Sequence, residues 1–270
     1  MKKLAAAPYL LWMAIFIIVP LMLIVMFAFT DSSGAFTLEN LLRVGDYAGV
    51  IWRSVKLAAI STIICLVLGY PLAFIISRKP ENQQRTFQML VMLPMWMNFL
   101  LRTYAWMTLL ENTGLINKLL GLIGLGPYQM INTQGAVVLG MVYNYIPYMI
   151  LPLYSVMVKI DPKVIEAAQD LGADNFHVLV RVLLPLSKAG VVSGITMVFV
   201  PAVSTFIISK MLGGGTNLMV GDLIDMQFLG NAYNPNLGSA ISLLLMVLIL
   251  VCMFFMNHVG SEEEMEGMLL

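Results

Sequence analysis

Six stretches of this chain carry apolar side chains for about twenty residues or more with almost no charge, the length a helix needs to cross a lipid bilayer. They are 8–30, 54–77, 86–110, 135–158, 189–208 and 237–257. Pro20, Pro71, Pro94, Pro147, Pro152 and Pro201 fall inside them. They predict kinks, which neighbouring helices of a bundle accommodate. The polar stretches 31–53, 111–134 and 209–236 are too short to form a soluble recognition domain, and no internal repeat is visible.

One polar stretch is built differently. Residues 166–187 read EAAQDLGADNFHVLVRVLLPLS. Just before them, Asp161 and Pro162 suit the cap and first position of a helix. Gly172 stands where that helix must stop, because glycine accepts the left-handed conformation without steric cost. A second short amphipathic helix is expected from about Asp174 to Leu184, ended by Pro185. A connection between membrane spans has no structural need for such order, so the expectation is that another protein docks there.

Composition supports the spans. Of 270 residues, 60% are hydrophobic and 11% charged, against about 25% charged in soluble domains. The chain is therefore expected to be an integral membrane protein. Its formal net charge of +0 offers no basic face to nucleic acid. Cys65 and Cys252 fall in apolar spans and read as packing residues, with no disulfide or metal site implied. The opening MKKLAAAPYLLW looks superficially like a signal peptide. Its apolar run, however, continues to Phe29 without a small-residue cleavage site, which predicts a retained span.

Loop charge gives an orientation. With the N-terminus inside, Lys2, Lys3, Arg78, Lys79, Arg85, Lys159, Lys163, Arg181 and Lys188 are cytoplasmic, against Arg43, Arg53, Lys56, Lys118 and Lys210 outside. Nine against five places both termini in the cytoplasm. The acidic tail at 262–266 does not oppose this, since carboxylates contribute little to the rule.

The middles of the spans hold no Asp, Glu, Lys or His. Ion-coupled carriers keep such groups there, so a self-sufficient secondary carrier is disfavoured. Arg102, roughly 24 Å along its span from the cytoplasmic entry, reads as an anchor snorkelling to the outer boundary, with gating or docking as the alternative. Gly213, Gly214 and Gly215 are not followed by the Lys-Ser or Lys-Thr of a phosphate loop. They read as a flexible outer loop, or as a surface against which a partner settles. His177 and His258 stand alone, so no metal or catalytic site is assigned.

The polar stretch resembles the EAA loop of binding-protein-dependent ABC importer permeases. Glu166, Ala167, Ala168, Gly172, Leu184 and Pro185 stand at the family's spacing, with Val182 where the pattern has Ile. LPMWMNFLLRTYAW, VYNYIPYMILPLYSVMVKIDP and MLGGGTNLMVGDLIDMQFL are similar to segments of the spermidine/putrescine permeases of the PotB type. The resemblance implies an all-α membrane protein of six transmembrane helices with the type I importer permease (MetI-like) fold, one permease domain over 1–270. Its coupling loop, about 159–188, would seat on a cytoplasmic ATPase. It implies two ATP-binding subunits, a second and non-identical permease, and an extracytoplasmic polyamine-binding protein, in a bacterial inner membrane. ATP and magnesium would be bound by the ATPase, leaving no cofactor and no catalysis in this chain.

Within that reading, Glu166 and Asp170, four apart on a helix, present an acidic edge to the ATPase. Trp96 and Asn98, with Tyr143, Asn144 and Tyr148, are the candidates for the substrate path, since aromatic faces attract cations without trapping them. Trp12, Trp52 and Trp106 read as membrane-interface residues. Gly213, Gly214, Asp222 and Asp225 are candidates for a receptor-facing loop. The competing expectations are a permease for another small solute (iron, an oxyanion, thiamine) and the secondary carrier.

Overall fold

The structure, a computed structural model, describes residues 7–230 and 232–267, with side chains over 9–230 and 232–256. Lys2 and Lys3 lie outside the described residues, as do the side chains of His258 and of 262–266. Among the described residues the regular structure is helical. α1 runs through Ala7–Met13, a π turn at Ala14–Ile18, and Val19–Ala28. Then come α2 (Glu39–Arg43), α3 (Ala48–Ser77), α4 (Glu81–Trp96), α5 (Phe99–Leu110), α6 (Leu115–Leu122) and α7 (Gln134–Met157). They are followed by α8 (Pro162–Asp170), α9 (Asn175–Leu186), α10 (Lys188–Ser204), α11 (Ile207–Leu212), α12 (Val220–Phe228) and α13 (Pro235–Gly267).

α3, α7 and α10 form the centre of the bundle. Leu57, Cys65 and Ile76 of α3, Met141, Met149, Leu153 and Met157 of α7, and Val198 and Ala202 of α10 are buried there. Close approach of α10 to α7 depends on Gly194, where a Cβ would lie 2.6 Å from Met149 Sδ. α1 packs on α13 and otherwise exposes apolar side chains, as a helix bordered by lipid or another subunit does. Cys65 is fully buried, in keeping with a packing role, and Cys252 is half-buried.

Among the described residues, four helices, Tyr9–Ala28, Glu39–Ser77, Gln134–Met157 and Pro235–Met256, are long and apolar enough to cross a membrane unaided. The fifth expected span becomes a bent pair, Asn175–Leu186 and Lys188–Ser204, meeting at 75°. The third is broken between α4 and α5, where Met97 and Asn98 take extended ψ angles of 147° and 128°. Six crossings remain compatible with these helices, although two of the expected spans are not single rods. Pro94 weakens the end of α4 by removing a helix donor, and Asn98 restarts the chain as a cap, accepting the Leu100 N–H at 2.9 Å.

The prolines do not all break helices. Pro20 and Pro185 each follow a π turn by two residues, Ala14–Ile18 and Leu179–Leu183. A proline ring clashes with the carbonyl four residues back; in both cases that carbonyl lies in the wider π turn, which moves it aside. The helix after Asp174 therefore does not stop at Pro185, as expected from sequence, but continues to Leu186 and turns at Ser187.

At the end of the bundle where α3 begins, long-range hydrogen bonds fix the connections. The Val220 N–H donates to Ser54 Oγ at 2.8 Å, Arg53 Nη1 to the Thr216 carbonyl at 3.1 Å, and Asn236 Nδ2 to the Thr30 carbonyl at 2.6 Å. At the other end of α3 lies the 159–188 segment.

Candidate functional site

The 159–188 segment is two short helices at an ordered turn. The Asp161 carboxylate accepts the Lys163 N–H at 3.0 Å, and Pro162 begins α8. After Asp170 the chain closes in a Schellman motif: Gly172 N–H donates to the Gln169 carbonyl at 2.9 Å and Ala173 N–H to that of Ala168 at 3.1 Å. Gly172 has φ +86°, the left-handed conformation the sequence required of it. Asp174 then caps α9, accepting the His177 N–H at 2.8 Å and facing His177 Nδ1 at 2.8 Å. The backbone bond from His177 first, then the ring, holds the Asp174 carboxyl below the usual carboxylate range.

On α8, Glu166, Ala167 and Asp170 are exposed and Ala168 is half-buried. Leu184 and Pro185 are exposed on the continuation of α9. The turn also carries two residues that sequence reasoning passed over: Leu171 is 89% exposed and Phe176 is 67% exposed. An exposed leucine before the turn and an exposed phenylalanine after it are large apolar side chains of the kind that a partner covers. The sequence signal was available, since both are large apolar residues inside an otherwise polar turn. Between α8 and α9, the concave surface is lined by Ala168, Leu171, Ala173, His177, Arg181 and Val182.

Both ends of the segment are fastened to the rest of the fold. Arg78 Nη1 donates to the Ile160 carbonyl at 2.9 Å while its guanidinium lies 5.3 Å from the Phe74 ring centroid. Burial draws the Arg78 guanidinium below its ordinary value, and the nearby Asp161 opposes that. At the exit, the Tyr70 hydroxyl meets Ser187 Oγ at 2.8 Å. Tyr154 donates to Gln84 Oε1 at 2.6 Å, and Gln84 in turn holds the Lys79 carbonyl at 2.7 Å. No local pattern in the sequence marks these pairs.

The candidate path residues do not form one patch. Trp96 is 75% exposed at the end of α4. Asn98 is spent on capping α5. Tyr143 packs edge-on against Trp106, ring centroids 5.4 Å apart. Trp106 is thus engaged with α7, whereas Trp12 and Trp52 stay exposed. Asn144 is buried with its Nδ2 donating to the Gly140 carbonyl at 2.8 Å, and its Oδ1 has no hydrogen-bond partner. Tyr148, 39% exposed, lies against Tyr145 on a different side of α7 from Tyr143.

The residues expected on the outer side need correction. Asp222 does not stand in a solvated loop: it is buried in the first turn of α12, accepting the Met219 N–H at 2.7 Å. Burial pushes its carboxyl above the ordinary value. Asp225 is paired with Lys210 at 3.1 Å. The glycine run is an ordered turn, with Gly213 at the end of α11 and left-handed Gly214 and Gly215 after it. A Cβ on Gly214 would collide with the Asn132 side chain. Arg102 is likewise not snorkelled: it is buried against Phe99, 5.9 Å from that ring centroid, because the restarted α5 packs on α11.

The chain is similar to known proteins in sequence and in fold. Residues 66–262 match the family described as binding-protein-dependent transport system inner membrane component. The spermidine/putrescine transport system permease protein PotB of Haemophilus influenzae is 37% identical over 263 residues, covering 94% of this chain and 92% of that one. PotB of Escherichia coli K12 is 34% identical over 248 residues, covering 88% and 90%. In structure, a chain of a bacterial ABC transporter involved in the import of the acidic polysaccharide alginate superposes with TM-score 0.81 at 18% identity, covering 97% of this chain and 95% of that one. A chain of the inward-facing MetNI methionine ABC transporter gives 0.58 at 18% identity, covering 78% and 93%. The all-helical fold is thus that of the ABC importer permeases. By its family match and these relatives, the chain belongs to the inner membrane components of binding-protein-dependent transport systems.

Proposed function

We propose that this chain is a permease subunit of an ATP-driven importer of spermidine or putrescine. It works beside a second, non-identical permease, two ATP-binding subunits and an extracytoplasmic polyamine-binding protein. The whole chain then acts as one membrane unit, with both termini and the 159–188 segment on the cytoplasmic side. α8 seats on the ATPase with Glu166 and Asp170 at its acidic edge and with Leu171 and Phe176 filling an apolar groove. ATP and magnesium belong to that ATPase. Trp96 offers its indole face to the passing polycation.

The observation that carries this reading is the hydrogen-bonded, exposed α8–α9 turn on a chain with a 37% identical relative that is a spermidine/putrescine permease. A segment that must transmit force needs fixed ends and an uncovered face, and the 159–188 segment has both. ATP-dependent spermidine uptake by vesicles carrying the four kinds of subunit tests it. Uptake requiring this chain, the ATPase and the binding protein is the expected result. Uptake of an oxyanion or iron in place of polyamine would overturn the substrate assignment, and uptake without ATP would overturn the class.

A further inference from the structure

α3 touches the coupling segment twice. Near its end, Arg78 holds the carbonyl of Ile160, the residue immediately before the Asp161 cap of α8. Two turns earlier, Tyr70 holds Ser187, the corner at which α9 turns into α10. Tyr70 and Arg78 are eight residues apart, about 12 Å along the axis and within about a quarter-turn of each other. One side of one helix therefore grips the entrance and the exit of the same loop.

Both contacts are built rather than incidental. Tyr70 and Ser187 are buried, 6% and 0% exposed, so a lost bond there is not replaced by water. Ser187 Oγ also donates to the Leu183 carbonyl at 2.6 Å, within the π turn that carries the chain past Pro185. Arg78 has Nε and Nη2 buried without partners. A guanidinium that forgoes these bonds yet keeps the one to Ile160, stacked on Phe74, is being used for position.

We infer that α3 is the strut of energy coupling, with Tyr70 and Arg78 as positioning residues that tie both ends of the α8–α9 segment to the centre of the bundle. With its ends held, a push on α8 cannot be absorbed by flexing at the junctions. It must move α3, and with it α7 and α10, which pack on α3 around the core. The inference rests on α8 being the ATPase-docking helix.

The test uses the full assembly in proteoliposomes with Tyr70→Phe, Ser187→Ala, the double variant, Arg78→Gln and Arg78→Lys. Readouts are ATPase co-purification, basal ATP hydrolysis, and hydrolysis stimulated by loaded binding protein. Tyr70→Phe and Arg78→Gln are expected to keep co-purification and basal hydrolysis and to lose stimulation by roughly two- to ten-fold, the range set by one hydrogen bond. Arg78→Lys should recover part, since an ammonium still donates to Ile160. Adding Ser187→Ala to Tyr70→Phe should lower stimulation no further: the bond between α3 and the corner is already gone, and the Leu183 carbonyl that loses Ser187 Oγ still accepts the Ser187 N–H at 2.9 Å. Unchanged stimulation in Tyr70→Phe and Arg78→Gln, or a loss that only tracks ATPase co-purification, overturns the strut. Failure of the parent chain to bind the ATPase would instead remove the docking reading, and the strut with it.

Discussion

Ser54 and Val220, 166 positions apart, meet in a buried hydrogen bond: the Val220 N–H donates to Ser54 Oγ at 2.8 Å, and the same hydroxyl donates to the Val50 carbonyl at 3.0 Å. That single oxygen satisfies the first backbone donor of α12 and fastens it to the start of α3. Ser54→Ala leaves the Val220 N–H buried and unpaired, at a cost of about 1–3 kcal/mol. Thermal unfolding of purified protein in detergent should show the loss. A variant as stable as the parent would mean that water reaches Val220.

Gly172 has open space where a Cβ would go, so substitution there meets no neighbour. The whole cost of Gly172→Val is conformational, about 1–2 kcal/mol for a side chain at left-handed φ. Gly172→Asn should cost less, because asparagine tolerates that region. In the assembled transporter, valine should weaken ATPase stimulation more than asparagine while both variants still insert. Equal behaviour of the two would remove the left-handed turn from coupling.

Asp222 predicts a pH dependence. Its folded carboxyl titrates above the ordinary value of 3.8 because of burial. The folded chain therefore keeps a proton that the unfolded chain has released. Its contribution to stability falls as pH rises from the ordinary value to the raised one and is level above it. Asp222→Asn keeps an acceptor for the Met219 N–H and has no proton to lose. Unfolding midpoints measured from about pH 4 to pH 7 should lose this slope in the variant. An identical slope in both proteins would assign it to other groups.

Trp96 makes no large contact within this chain, being 75% exposed, so its replacement should leave stability unchanged. Trp96→Leu removes a cation-attracting face worth about 0.5–2 kcal/mol, or roughly a few-fold to thirty-fold in transport efficiency. Trp96→Tyr should retain part of it. Equal spermidine uptake by both variants and the parent, at matched assembly levels, would take Trp96 out of the path.

Sidedness can be read from single cysteines at exposed positions in a background lacking Cys65 and Cys252. Ser33→Cys should react with a membrane-impermeant maleimide in intact cells, and Gln169→Cys only after the membrane is opened. Labelling of Gln169→Cys from outside would reverse the orientation.

The α8–α9 turn was legible in the amino-acid sequence because caps, Gly172 and the spacing around them are local: Asp161 and Asp174 find their donors within three residues. Four of the expected membrane spans were legible for the same reason, as apolar length is a property of a window. Tertiary packing decided the rest. Asp222 looked like a loop charge and is a buried helix cap, since burial depends on how α12 settles against α3 and α13. Pro185 looked like a helix end, but the π turn before it carried the helix past. Tyr143, Asn144 and Tyr148 stood together in sequence as path candidates, and helix rotation sent them to different neighbours. Tyr70 and Ser187 meet across 117 positions. Such a pair leaves no local trace, because only the packing of α3 against the α9–α10 corner brings the two hydroxyls within reach.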